Sequence, residues 1–124
     1  MPIGVGALYT LAVEPDTPLR YGECQLMVLE VAILDVKPGQ SQEFEAAFGQ
    51  AQTIISSMKG YLSHQLQKCL EKPNRYILLV TWQTLEDHTQ GFRGSVEYQE
   101  WRRLLHHFYD PFPEVEHYVP VTGD

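Results

Sequence analysis

From Met27 onward the order of apolar and polar positions outlines six elements. Met27–Val36 (MVLEVAILDV) is β-branched and apolar at nearly every position, and Lys37-Pro38-Gly39 closes it as a turn. Phe44, Ala47, Phe48, Ala51, Ile55 and Met58 then keep the i, i+3, i+4, i+7 spacing of a helix over Ser41–Met58. Ser41 can cap it, Glu43 and Glu45 suit its positive end, and Lys59-Gly60 stops it. Tyr61–Leu70 and Arg75–Trp82 are expected as strands joined by the turn Glu71-Lys72-Pro73-Asn74. Thr84-Leu85-Glu86-Asp87 resembles a capping box and opens a short helix that Gly91 and Gly94 weaken. Ser95 can cap a further helix to Tyr109, with Tyr98, Trp101, Leu105 and Phe108 on one side. Asp110-Pro111-Phe112-Pro113 ends it, and Glu114–Val121 is the last strand. The order β-α-β-β-α-β defines an α+β, ferredoxin-like fold.

The strand patterns also bear on assembly. An antiparallel sheet with one solvated face alternates apolar with polar residues. Leu29–Leu34 and Ile77–Val80 are instead apolar on both faces, apart from Glu30. Helices can cover only one face, so the expectation is a homodimer in which a second copy of the sheet covers the other, a dimeric α+β barrel. Residues 1–26 form an arm ahead of the domain at 27–124. Val5, Ala7, Tyr9, Leu11 and Val13 alternate with smaller or polar residues, as in an extra edge strand or an arm laid over the partner.

Composition narrows the partners. The 124 residues suit one domain, and nine Lys+Arg against sixteen Asp+Glu leave a net charge of −7. Nucleic acid and anionic membrane both need clustered cations, and only Arg102-Arg103 stand side by side, so neither is expected as a partner. The apolar run Ile3–Val13 lacks a basic lead and a small-residue cleavage site, and it falls far short of the ~20 residues of a membrane span. Two widely spaced cysteines, Cys24 and Cys69, fit a reducing cytoplasm.

Most familiar chemistries lack their residues. No two of the five histidines are four apart and no H-E-x-x-H occurs, and the neighbours His106 and His107 point about 100° apart on a helix, so no metal is expected. There is no G-x-S-x-G, and neither cysteine has a persuasive histidine partner. Gly4 and Gly6 lack a strand–turn–helix context, and no G-K-[ST] follows.

What remains is a pocket lined by aromatic, His and Arg residues. A hairpin symmetric about Pro73 would set His64 opposite Trp82, at the strand end leading to the helix that carries His88 and Phe92. On the last helix Arg102, His106 and Tyr109 fall within about 60° of one another beside the apolar stripe. Such walls with one or two proton-handling groups suit a flat phenolic or quinone-like ligand. Each residue also has a plainer role open to it. Trp82 and Phe92 can be core, His64 a hydrogen-bonded or exposed histidine, and Arg102 a side chain whose stem packs while its head meets water. His117 and Tyr118 should point to opposite faces of the final strand.

Taken together, MVLEVAILDVKPG, the amphipathic helix, M-K-G-Y, Y-I-L-L-V-T-W-Q-T-L-E-D-H and V-E-H-Y-V-P-V resemble the antibiotic biosynthesis monooxygenase domains, over residues 27–121. These are dimeric α+β barrels of ferredoxin-like subunits. They include cofactor-free oxygenases of aromatic polyketides, quinol monooxygenases and haem-degrading enzymes. By this resemblance Trp82 matches the strand tryptophan of the polyketide oxygenases and Arg102 their helix arginine. His88 replaces a tyrosine, and Leu78 stands where they carry asparagine. The haem-degrading relatives have a first-strand asparagine where this chain has Val31, and an axial histidine where it has Arg102. The one asparagine in the chain is Asn74, in the hairpin turn. The resemblance therefore implies oxygenation without haem rather than haem degradation, and no bound cofactor.

The expected function is a cytoplasmic monooxygenase acting with O2 on a phenolic or quinol-like aromatic. Arg102 would hold the substrate oxygens, and His88 or His64 would take the phenol proton. Trp82, Phe92, His106 and Tyr109 would enclose the ring and exclude water. The alternatives are a non-catalytic, stress-associated ligand-binding barrel with its pocket packed shut, and an isomerase or cyclase on the same fold.

Overall fold

A computed structural model describes residues 27–122; the 1–26 arm lies outside the described residues. The chain runs β1 (Val28–Asp35), α1 (Ser41–Ile55), β2 (Tyr61–Lys68), β3 (Arg75–Trp82), a π-helical turn (Asp87–Phe92), α2 (Val96–Leu105), a short 3-10 turn (His106–Phe108) and β4 (Val115–Tyr118). The sheet order is β2-β3-β1-β4, every neighbouring pair antiparallel. This is the ferredoxin-like α+β arrangement that the element order implies.

Alternation along β1 separates the two faces. Val28, Glu30, Ala32 and Leu34 are buried beneath the helices. They meet Phe44, Phe48, Ala51 and Ile55 of α1 and Trp101 and Leu105 of α2 in one apolar cluster. Leu29, Val31 and Ile33 point the other way, and by register Leu79 and Ile77 stand beside Val31 and Ile33 on that face. Among the described residues no element covers it, and Ile33 and Tyr118 are exposed.

Capping follows the sequence at two places and departs from it at a third. Ser95 Oγ accepts the Tyr98 N–H at 3.1 Å, and Thr84 Oγ1 accepts that of Asp87 at 3.1 Å. Ser41 is the first residue of α1 rather than its cap. Gln40 holds the cap position without a side-chain bond, and Ser41 Oγ donates to Asn74 Oδ1 at 3.4 Å.

The hairpin register also differs from the symmetric expectation. The Cys69 N–H donates to the Arg75 carbonyl at 2.8 Å, so the ladder is centred on Lys72, one residue earlier than Pro73. His64 consequently faces Val80 instead of Trp82, and an irregularity between Tyr61 and Ser63 sets Tyr61 opposite Trp82. The last helix is not continuous to Tyr109, because the helical repeat tightens to 3-10 after Leu105. The Asp110 N–H then ties the segment back to the Asp35 carbonyl at 2.8 Å. The final strand spans only Val115–Tyr118 of the expected Glu114–Val121.

Gly60 governs how the π-helical turn is seated. Its φ is +85°, and a Cβ there would fall 2.2 Å from Asp87 Cγ. Its carbonyl also accepts the Gln83 N–H at 2.7 Å. Gly60→Ala should therefore push Asp87 away and strain the backbone. The expected loss is on the order of 2 kcal/mol in urea unfolding, against near neutrality for Gly49→Ala, where space is open.

Candidate functional site

The helices leave a cavity of about 600 Å³ against the sheet. Glu30, Ala32 and Leu34 of β1 and Leu78 of β3 form its floor. His88, Phe92 and Arg93 come from the π-helical turn and its end, Tyr98, Trp101 and His106 from α2 and the turn after it. Tyr109 and the segment Phe112–Glu116 close the far side.

The aromatic wall is interlocked. Phe92 meets Tyr98 at 5.2 Å and Trp101 at 5.5 Å, both edge-to-face. His106 meets Phe112 edge-on at 5.0 Å and lies 6.0 Å from the Tyr109 ring. Rings held at such angles gain quadrupole attraction beyond simple burial. Burial pushes the Tyr109 phenol above its ordinary range. Burial first, and then the Arg102 charge, lowers His106.

At the inner end sits a buried polar group. Glu30 is 5% exposed and His88 3%. Trp82 Nε1 donates to Glu30 Oε1 at 2.9 Å, and the indole stacks on the His88 ring at 5.4 Å and 19°. His88 Nε2 lies 3.4 Å from the same Oε1, while its Nδ1 shares a hydrogen bond with His117 Nε2 at 2.8 Å. Burial raises the Glu30 carboxyl to about 7, opposed by the Trp82 hydrogen bond and the Arg93 charge. Burial lowers His88 to about 3, assisted by the Arg93 and His117 charges. The Glu30–His88 separation is within ion-pair range, yet desolvation dominates both groups. The pair rests with both members neutral between about pH 3 and about pH 7.

The residues expected from the sequence divide into two sets. His88, Phe92, His106 and Tyr109 line the cavity, and Trp82 stands behind Glu30 and His88 without lining it. Arg102 and His64 are not brought to the cavity. Arg102 lies on the exposed side of α2 with Nη1 3.4 Å from Gln99 Oε1, turned away from the core that Trp101 and Leu105 face. His64 packs against Phe48 of α1 at 5.9 Å and bonds the Tyr61 hydroxyl at 2.6 Å and Gln52 at 3.1 Å. Glu30 and Arg93 are among the cavity residues outside the expected set. Glu30 carried a visible signal, as the one acid within the apolar run Leu29–Leu34. Arg93, beside a glycine at the end of an irregular helix, carried none. His117 does turn to the helix side and Tyr118 away from it, as alternation requires.

A four-stranded antiparallel sheet backed by two helices over an aromatic-lined cavity defines a ferredoxin-like α+β protein. The chain belongs to the antibiotic biosynthesis monooxygenase family, whose model matches residues 27–104. It is 63% identical over 95 residues to YczJ, an uncharacterized protein of Bacillus subtilis (strain 168), covering 77% of this chain and all of that one. A Bordetella bronchiseptica protein assigned to the same family superposes with a TM-score of 0.75 at 36% identity, over 79% of this chain and 100% of the other. SnoaB of Streptomyces nogalater, described as a cofactor-independent oxygenase, superposes with a TM-score of 0.70 at 17% identity, over 80% and 97% of the two chains. At that identity the likeness is one of fold. Among the described residues no three His, Cys, Asp or Glu side chains are grouped to hold a metal ion, and no helix is long and apolar enough to cross a membrane.

The buried pair sets opposing pH dependences of stability. Glu30 rises from 4.5 to about 7 on folding, so its contribution is complete below about pH 4.5 and lost as pH climbs to about 7. His88 falls from 6.5 to about 3, so its contribution is complete above about pH 6.5 and lost on acidification toward 3. Between about pH 4.5 and 6.5 the two slopes cancel. Glu30→Gln should unmask the histidine. Its unfolding free energy relative to wild type should increase by about 3 kcal/mol between pH 4 and pH 8, measured by urea denaturation.

Proposed function

We propose that the chain is a monooxygenase that uses O2 to oxidise a phenolic or quinol-like aromatic, without a bound metal or flavin. The observation that carries this reading is the aromatic cavity ending on the buried Glu30 and His88. Removing a phenol proton raises electron density at the ring carbon para or benzylic to it, and such a carbanion can give electrons directly to O2. For an anthrone-like methylene the balance closes without another reductant: CH2 and O2 become C=O and H2O. Membership of a family that includes monooxygenases supports the reaction class, and the likeness to SnoaB supports oxygenation without a cofactor.

In this reading Phe92, His106 and Tyr109 hold the ring, Trp82 and His88 back its acidic end, and exclusion of water protects the carbanion. Arg93, which lines the cavity, is the cation proposed to attract the substrate oxygens, in place of Arg102. A cavity of this size argues against a barrel packed shut. The acid–base pair Glu30–His88 also supports a second reading, an isomerase that moves a proton without O2.

O2 uptake should follow addition of anthrones or hydroxylated naphthoquinones, and should fall at least about tenfold in His88→Ala and Arg93→Ala. A larger loss in Arg102→Ala than in Arg93→Ala would return the cation's role to Arg102. Turnover under anaerobic conditions would instead establish the isomerase.

The same reading places a second copy of the chain on the open sheet face. Leu29, Val31, Ile33, Ile77 and Leu79 form an apolar surface there that the helices leave uncovered. Sedimentation should give a dimer, and Ile33→Lys with Ile77→Lys should give a monomer.

A further inference from the structure

Glu30 has one oxygen to spare. Trp82 Nε1 donates to Oε1 at 2.9 Å, from a ring that stands behind the cavity rather than in its wall. Oε2 has no hydrogen-bond partner among the described residues, although the side chain is only 7% exposed and the carboxyl lines the cavity. His88 Nε2 approaches Oε1 to 3.4 Å without a hydrogen bond, and the imidazole is tied at Nδ1 to His117.

The protonation state of this carboxyl decides what it can offer. Burial keeps the proton on it up to about pH 7. The Trp82 N–H marks Oε1 as the carbonyl oxygen of the acid, so the hydroxyl is at Oε2. A buried hydroxyl without an acceptor is costly, and no side chain among the described residues relieves it. A ligand oxygen at this end of the cavity would.

We infer that Glu30 serves the site as a neutral carboxylic acid, donating its Oε2–H to a carbonyl oxygen of the aromatic ligand. This rests on the reading of the cavity as an aromatic site and adds a feature of the ligand: a ketone- or quinone-like oxygen directed at β1. An anthrone carries such a carbonyl across the ring from its methylene. No proton is transferred and no electrons move; the acid orients the ring and withdraws density from its carbonyl.

The groups around the carboxyl leave it this role. His88 and Arg93 face it from the π-helical turn and its end, and His117, Glu114 and Glu116 come from the β4 segment. Tyr98, His106 and Tyr109 line the α2 side. The Arg93 charge favours the carboxylate but is outweighed by burial, and it stays constant as pH changes. Burial first, and then a neighbouring arginine, holds His106 and His117 below their ordinary value. Both imidazoles therefore give up their charge before Glu30 gives up its proton.

Equilibrium dialysis of the whole chain with fluorenone, and with fluorene as its carbonyl-free counterpart, tests the donor. Fluorenone affinity should fall about tenfold from about pH 6 to about pH 8.5, because the ligand selects the protonated acid. Glu30→Gln should keep the affinity of the lower pH throughout, since its amide N–H donates at either pH. Glu30→Leu should bind fluorenone about tenfold more weakly than wild type at about pH 6 and show no pH dependence. Undiminished fluorene binding by Glu30→Leu reports that the variant keeps its pocket. A pH-independent wild type, or Glu30→Gln no better than Glu30→Leu, would overturn the donor. Binding of neither compound would overturn the aromatic ligand class and the inference with it. Fluorenone binding with the expected pH dependence, but no O2 uptake with any anthrone, would retire the oxygenase reading and leave the donor standing.

Discussion

The desolvation of one carboxyl group organises this molecule's chemistry. Glu30 occupies a position on β1 where alternation demands an apolar side chain, beneath the helices and 5% exposed. Removing a carboxylate from water costs several kcal/mol unless partners compensate, and here the compensation is specific. Trp82 supplies an N–H, His88 a neutral ring at 3.4 Å, and Arg93 a distant positive charge. The π-helical turn presents His88 and Phe92 from the same short segment, and Gly60 lets Asp87 seat that segment against the end of β2. Without this frame the acid would be a buried charge with no role.

Glu30 and His88 show how two unfavourable burials can be mutually tolerable. Each group alone prefers its neutral form in this environment, one by keeping its proton and the other by lacking it. Neutral groups need no ion-pair energy to stay buried, so the pair does not depend on Coulomb attraction for its survival.

Much of the fold was legible because it rests on periodicity. The 3.6-residue pattern of α1, the apolar strands and the Ser95 cap follow from local physics, and the element order follows from them. The site was legible only in part. His88, Phe92, His106 and Tyr109 sit on segments whose apolar face could be read, and they meet at the cavity. Arg102 lies on the exposed side of α2, a placement that its angular position beside the apolar stripe left open. His64 faces Val80 because the ladder is centred on Lys72 rather than Pro73, a one-residue choice that no residue pattern announces. Glu30 was visible as an anomaly, but a lone acid in a strand does not say whether it meets solvent, a partner or a ligand.

The alternation of β1 has a last consequence, for the freedom of the chain to change. In most half-buried strands every second position is loosely constrained, because it meets only water. Here the even positions build the cavity floor and the odd positions carry the open apolar surface, and each is a single backbone step from the other. A substitution that adjusts the pocket through this strand shifts the opposite surface by the same pleat. Diversification of the cavity wall is therefore channelled away from β1, toward the π-helical turn and Phe112–Glu114, which line the cavity outside the sheet.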